Sequence, residues 1–184
     1  AGGGGPTRDG LWGPGGARGV GRDFVRVNVR FGAGLRGVYA SGDASGGRRL
    51  AHMASAQGLT VVHALAGEEA PLCLAAIPAC VYVSPEIASV GLTQADCQQR
   101  GIEVKVGKAL MGANGRTLIA GGHRGFIKVV VSAENGRVLG AQLMCERATD
   151  MIDSFTVAIA NGLTATQLMR AVRPHPTFLE AVGE

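Results

Sequence analysis

The sequence predicts an α+β fold in which helices flank an antiparallel sheet. Three observations carry that expectation. Residues 126–131 and 138–144 are apolar runs rich in Val and Ile, the composition of strands. Glu134-Asn135-Gly136 lies between them, and Asn-Gly accepts the positive φ of a tight hairpin turn. Residues 149–161 then carry Met151, Ile152, Phe155 and Ile159 near helical spacing, stopped by Gly162. That makes an amphipathic helix with an apolar face to cover.

The other elements follow in chain order. Residues 37–40 read as a short buried strand running into Ser41-Gly42-Asp43. Residues 50–65 are Ala- and Leu-rich and predict a helix, punctuated by Gly67 and Pro71. Residues 79–83 and 88–92 read as strands broken by Ser84-Pro85. Thr93 is placed to cap a helix over residues 94–100, which Gly101 stops. Residues 103–106 alternate as a half-buried strand, and residues 114–120 read as a helical turn or loop. Thr164 caps a short helix over residues 165–172. Pro176 can open a last turn at its first position, with residues 177–180 continuing it.

Composition narrows the function classes. Hydrophobic residues are 46% and charged residues 17% of the 184 positions, so a folded core is expected. Aromatics are 4%, which argues against a stacking surface for single-stranded nucleic acid. The net charge of +4 owes much to Arg8, Arg18, Arg22, Arg26, Arg30, Arg36, Arg48 and Arg49, scattered among glycines without a nucleic-acid motif. Cys73, Cys80, Cys97 and Cys145 match neither a C-x-x-C pair nor a zinc-ligand spacing. They read as thiols in a reducing compartment. No leader-like or membrane-spanning apolar run is present. The expectation is a cytoplasmic protein with no membrane partner and no metal. Residues 1–36 stand apart as a Gly- and Arg-rich segment, expected to be disordered or foreign to the rest.

The last residues hold the chemistry-bearing pattern. His175 lies between Pro174 and Pro176, and Glu180 follows five positions on. The prolines keep His175 out of a helix interior, and one helical turn carries Glu180 back toward the imidazole. A carboxylate that orients a histidine makes a general acid/base. The same residues also read as a Pro-rich tail with a solvated histidine, and composition alone favours the tail. Gly42-Asp43, taken alone, reads as a turn.

Three segments in order then resemble a known family. They are residues 38–43 with residues 50–54, Ile77-Pro78 with residues 84–91, and residues 173–177 with Glu180. Residues 37–184 resemble the C-terminal part of the pyridine nucleotide–disulfide oxidoreductases, within them the dihydrolipoamide dehydrogenase branch. Asn114-Gly115-Arg116, residues 125–128 and residues 147–150 add to the likeness.

The resemblance implies that residues 37–70 end an FAD-binding domain and residues 71–184 form a dimerisation domain. It implies that Asp43 accepts hydrogen bonds from the ribityl chain of FAD. Arg49, Leu50, Ala51 and His52 would open a helix whose N–H groups face the flavin ring. His175 would be the catalytic base toward a dithiol, oriented by Glu180 and serving the other subunit of a homodimer. NAD would be the electron acceptor. The partners would be lipoyl-bearing subunits of 2-oxo acid dehydrogenase or glycine cleavage complexes. His63 and His123 have no motif support.

The chain departs from the family in holding no C-x4-C pair and no Gly-rich dinucleotide fingerprint between a strand and a helix. FAD and NAD binding would therefore need upstream domains, and the chain alone is expected to be inactive. Leu179 stands where many relatives carry a small or polar residue. The alternatives are a glutathione-reductase-like enzyme of the same family and a non-enzymatic dimerisation module.

Overall fold

The computed structural model describes residues 19–20, 24–122 and 124–183. The chain divides into two units, Ala1–Leu74 and Ala75–Glu184. In the first, β1 (Gly19–Val20) pairs antiparallel with β2 (Phe24–Val25). Within residues 24–36 most positions are exposed or half-buried around two buried ones. Val25 and Ala33 are buried, with Val27, Val38 and Ala40 against them. Asn28 Oδ1 accepts from the N–H groups of Arg30 and Gly32 and closes a turn. The remaining residues of the 1–36 segment, 1–18 and 21–23, lie outside the described residues.

The strand expected over residues 37–40 is reduced to one bridge, Gly32 to Tyr39. The chain reverses through Gly34 and Gly37, both at positive φ. The pairing partner is thus a nearby loop rather than a strand long enough to build a ladder. A 3-10 turn, Gly42–Ser45, leads on toward α1 (Ala51–Ala66). Gly67 ends α1 in the left-handed conformation and donates to the Ala64 carbonyl, while Glu68 N–H donates to His63. This is the glycine stop that the sequence predicts.

The second unit is built on a five-stranded antiparallel sheet. Its strands are β3 (Ala79–Val81), β4 (Ile87–Gly91), β5 (Val104–Leu110), β6 (Phe126–Ser132) and β7 (Val138–Met144). Their order is β3-β4-β7-β6-β5. The hairpin between β6 and β7 turns at Gly136 with φ 71°. Between the strands lie α2 (Gln94–Gln99) and α3 (Gly115–Ile119), followed by α4 (Ala148–Ala160) and α5 (Ala165–Met169). Helix α4 packs on β4 and β7. It buries Met151, Ile152 and Phe155 in one core with Val90, Ile127, Ala141 and Leu143.

The boundaries of strand β5 and helix α5 differ most from the sequence reading, each by three or four residues at one end. Strand β5 runs to Leu110 because all seven of its residues pair with β6. Gly107 and Lys108 interrupt the apolar alternation, but on an edge strand the ladder sets the length. Helix α5 stops at Met169, short of the expected residue 172. Arg173 Nη2 donates to the Leu168 carbonyl at 3.2 Å and Nη1 to Ala171 at 3.1 Å. A guanidinium therefore satisfies carbonyls at the helix end, and Pro174 steers Arg173 out of helical geometry.

Helix α2 begins as expected. Thr93 Oγ1 accepts the Asp96 N–H at 3.1 Å, and Asp96 Oδ2 accepts the Thr93 N–H at 2.8 Å. Thr93→Ala is expected to cost about 1 kcal/mol, read from the shift of the denaturant midpoint. Among the described residues no helix is long and apolar enough to cross a membrane, and no His/Cys/Asp/Glu cluster could hold a metal ion.

Candidate functional site

The chain leaves α5 through Arg173-Pro174-His175-Pro176 and ends in a short 3-10 turn, Phe178–Val182. Pro176 does not start this turn, as the sequence reading had it. Thr177 caps it with extended backbone, φ −136° and ψ 160°. Apolar packing anchors the turn, since Phe178, Leu179 and Val182 lie against the sheet core and Ala181 is buried within it. Leu179 thus serves as a hydrophobic foothold for the loop.

That foothold brings Glu180 to His175. Glu180 Oε1 lies 2.7 Å from His175 Nδ1, and Oε2 accepts the Thr177 N–H at 2.9 Å. Each carboxylate oxygen has a donor, so the side chain is held in one orientation. The Glu180 side chain is 23% exposed and that of His175 80%. The Thr177 N–H, then the His175 hydrogen bond, hold the Glu180 carboxyl below its ordinary value. Thr177 Oγ1 also donates to the Pro174 carbonyl at 2.9 Å, closing the loop across the histidine.

Asn114 is the participant whose part the sequence reading missed. It is buried at 2% exposure and caps α3 through Oδ1, which accepts the Thr117 N–H. Its Nδ2 donates to the Thr177 carbonyl at 2.9 Å. Arg116, on the same helix, lies 5.9 Å from the centre of the Phe178 ring. A buried Asn at a helix start was a visible signal of capping; its second bond, to a distant loop, was not.

The second candidate set lies in the first unit. Asp43 is exposed and sits within the 3-10 turn rather than at a strand end. Gly42 beside it is buried at φ 67°, where a Cβ would press on Ala54. Its N–H donates to the buried Gln57 Oε1 at 2.7 Å. Leu50 is the N-cap of α1, and no side chain caps that end. Arg49, Ala51 and His52 flank it on the exposed surface, with Arg49 5.4 Å from the Phe24 ring centre. His63 Nδ1 pairs with Glu68 Oε2 at 2.9 Å at the other end of α1. His123 lies outside the described residues.

The buried cysteines hold their thiols protonated. Burial pushes the Cys145 thiol up to about 12 and raises Cys97 and Cys80. Cys73 is exposed. At about pH 8 a thiol reagent is expected to label Cys73 well ahead of Cys97 and Cys145, read by mass spectrometry.

Glu86 caps α4 from a distance. Its Oε2 accepts the Thr149 Oγ1–H at 2.6 Å and the Thr149 N–H at 2.9 Å, and these bonds lower its carboxyl. For Glu86 and Glu180 the folded value lies below the unfolded one. Their stabilisation is complete above the ordinary value of 4.5 and is lost as pH falls through the lowered folded values. Glu86→Gln is expected to flatten that acid loss, read from denaturant midpoints across pH.

The family model for the pyridine nucleotide-disulphide oxidoreductase dimerisation domain matches residues 77–184. The chain belongs to this family. Over 89% of its length it is 39% identical to a dihydrolipoyl dehydrogenase of Zymomonas mobilis, covering 35% of that protein. It is 37% identical to one of Bacillus subtilis over the same shares. Among solved structures, LpdA of Mycobacterium tuberculosis superposes with a TM-score of 0.84 at 26% identity, over 91% of this chain and 37% of that one. The HOCl-induced flavoprotein disulfide reductase RclA of Escherichia coli shares the fold at a TM-score of 0.80 and 24% identity, over 90% and 39%. The chain thus spans about a third of the length of the curated family members it matches.

Proposed function

We propose that the chain supplies the dimerisation domain and the acid/base dyad of a dihydrolipoyl dehydrogenase, an enzyme that oxidises dihydrolipoyl groups with NAD as acceptor. The observation that carries this is the 2.7 Å contact of Glu180 with His175 Nδ1, in a chain of this family. With Nδ1 engaged by the carboxylate, Nε2 is left to take a proton from a dithiol. Glu180 stabilises the imidazolium that forms, and its lowered carboxyl keeps it ionised for that task. The thiolate so released is the attacking species in disulfide exchange.

The residues present also fit part of FAD. Asp43 is an exposed acceptor beside a buried glycine, suited to ribityl hydroxyls. The start of α1 has no side-chain cap, so Arg49, Leu50, Ala51 and His52 open a helix end whose dipole favours negative charge on a ring edge. When bound, FAD supplies the two-electron acceptor between dithiol and NAD. No segment of these 184 residues carries the C-x4-C pair or the dinucleotide fingerprints, so those groups come from polypeptide other than this chain. The active form is a homodimer in which His175 serves the partner subunit's flavin, and its substrates are lipoyl-bearing subunits of multienzyme complexes.

The test is NAD reduction by dihydrolipoamide, run beside reduction of glutathione disulfide. The chain alone is expected to turn over neither. The whole flavoprotein that contains it should oxidise dihydrolipoamide at least tenfold faster than it reduces glutathione disulfide. The opposite preference would move the chain to the glutathione-reductase-like branch.

A further inference from the structure

We propose that Asn114 is a positioning residue for the His175–Glu180 pair, acting through the main chain of Thr177. The inference rests on the dyad reading above and names a residue 63 positions from the loop it holds. His175 is 80% exposed, so packing does not place its ring. Its place depends on Glu180, and Glu180 is oriented by the Thr177 N–H at 2.9 Å. Thr177 in turn has its carbonyl held by Asn114 Nδ2 at 2.9 Å. The backbone of one residue is gripped on both sides, and turning it breaks one grip or the other.

Asparagine suits the task because it donates and accepts at once. Oδ1 takes the Thr117 N–H at 2.9 Å and the Thr117 Oγ1–H at 3.1 Å, which leaves Nδ2 for Thr177. Asn114 and Thr117 are both 2% exposed. The Asn114 end of the contact is therefore shielded from water while Thr177 is half-buried, and losing the bond leaves the Thr177 carbonyl short of a protein donor. Aspartate keeps the cap on α3 but cannot donate. Serine keeps the cap and falls short of the loop.

The experiment compares Asn114→Asp and Asn114→Ser with Thr117→Val, which removes a neighbouring bond and leaves Nδ2 in place. The readouts on the chain are Thr177 amide exchange and the NMR titration of the Glu180 carboxyl. Both Asn114 variants should speed Thr177 exchange by about tenfold or more. Asn114→Ser should raise the Glu180 titration midpoint toward the ordinary value, and Thr117→Val should do neither. In the whole flavoprotein, kcat with dihydrolipoamide should fall by up to about 10²-fold with the KM for NAD unchanged.

Unchanged exchange in Asn114→Asp overturns the proposal, even if Asn114→Ser fails to fold. On the unsubstituted chain, a scalar coupling from the Asn114 side-chain nitrogen to the Thr177 carbonyl carbon reads the bond directly, and its absence overturns the proposal as well. The dyad reading fails separately: a His175→Gln enzyme with full activity sinks it whatever the NMR shows.

Discussion

His175→Gln is expected to lower the rate of dihydrolipoamide oxidation by about 10²–10⁴-fold, the usual contribution of a positioned general acid or base. Glutamine keeps a polar side chain between Pro174 and Pro176 but cannot accept and return a proton. The loop itself should survive. Its shape comes from Thr177 Oγ1 on the Pro174 carbonyl, from Glu180 on the Thr177 N–H, and from Phe178, Leu179 and Val182 against the core. Thermal stability should therefore stay near that of the unsubstituted protein while turnover falls. Glu180→Gln tests the other half of the pair. It removes the charge that would stabilise the imidazolium, so kcat should fall, but by less than in His175→Gln. Steady-state rates across pH, with a melting curve for each variant, check both statements. A His175→Gln enzyme that turns over normally would return the segment to the solvated-tail reading.

Gly140→Ala is expected to damage stability severely. Gly140 faces Gly91 across β4 and β7, where the chain from Leu92 passes over the sheet. A Cβ on Gly140 would collide with the Leu92 carbonyl oxygen, a backbone atom that cannot swing aside. Leu92 is pinned there, since its N–H donates to the Leu139 carbonyl at 2.8 Å. Relief requires β4 and β7 to shift apart, and α4 packs on both. The cost should reach about 3 kcal/mol or more, the top of the range for overpacking. Gly136→Ala makes the contrast. Nothing lies within 4 Å of its added Cβ, and only the φ of 71° opposes it. That change should cost roughly 1–2 kcal/mol. Urea midpoints of the two variants decide the matter, and equal destabilisation would refute the collision argument.

Much of this was legible in the chain itself. The β6–β7 hairpin followed from Asn135-Gly136, the start of α2 from Thr93, and the end of α1 from Gly67. These are local effects of capping groups and glycine conformations, complete within a few residues. The family was legible for a different reason: three short motifs lie in the right order. Where reading failed, the cause was non-local. Residues 37–40 have strand composition but no strand beside them. Strand β5 is longer than its pattern because β6 pairs with all of it. Helix α5 is the local exception, since Arg173 reaches back only five residues to cap it short of its pattern.

The candidate site divides along the same line. Sequence spacing allowed His175 and Glu180 to meet, while composition alone favoured the solvated tail. Their meeting depends on the sheet core that seats Phe178 and Leu179, and on Asn114 reaching the Thr177 carbonyl. Short-range pattern settles caps, turns and the residue types available for proton transfer, because those energies are made between near neighbours. Whether a carboxylate touches a histidine at 2.7 Å is set by packing and buried hydrogen bonds between segments far apart in the chain, which no local pattern encodes.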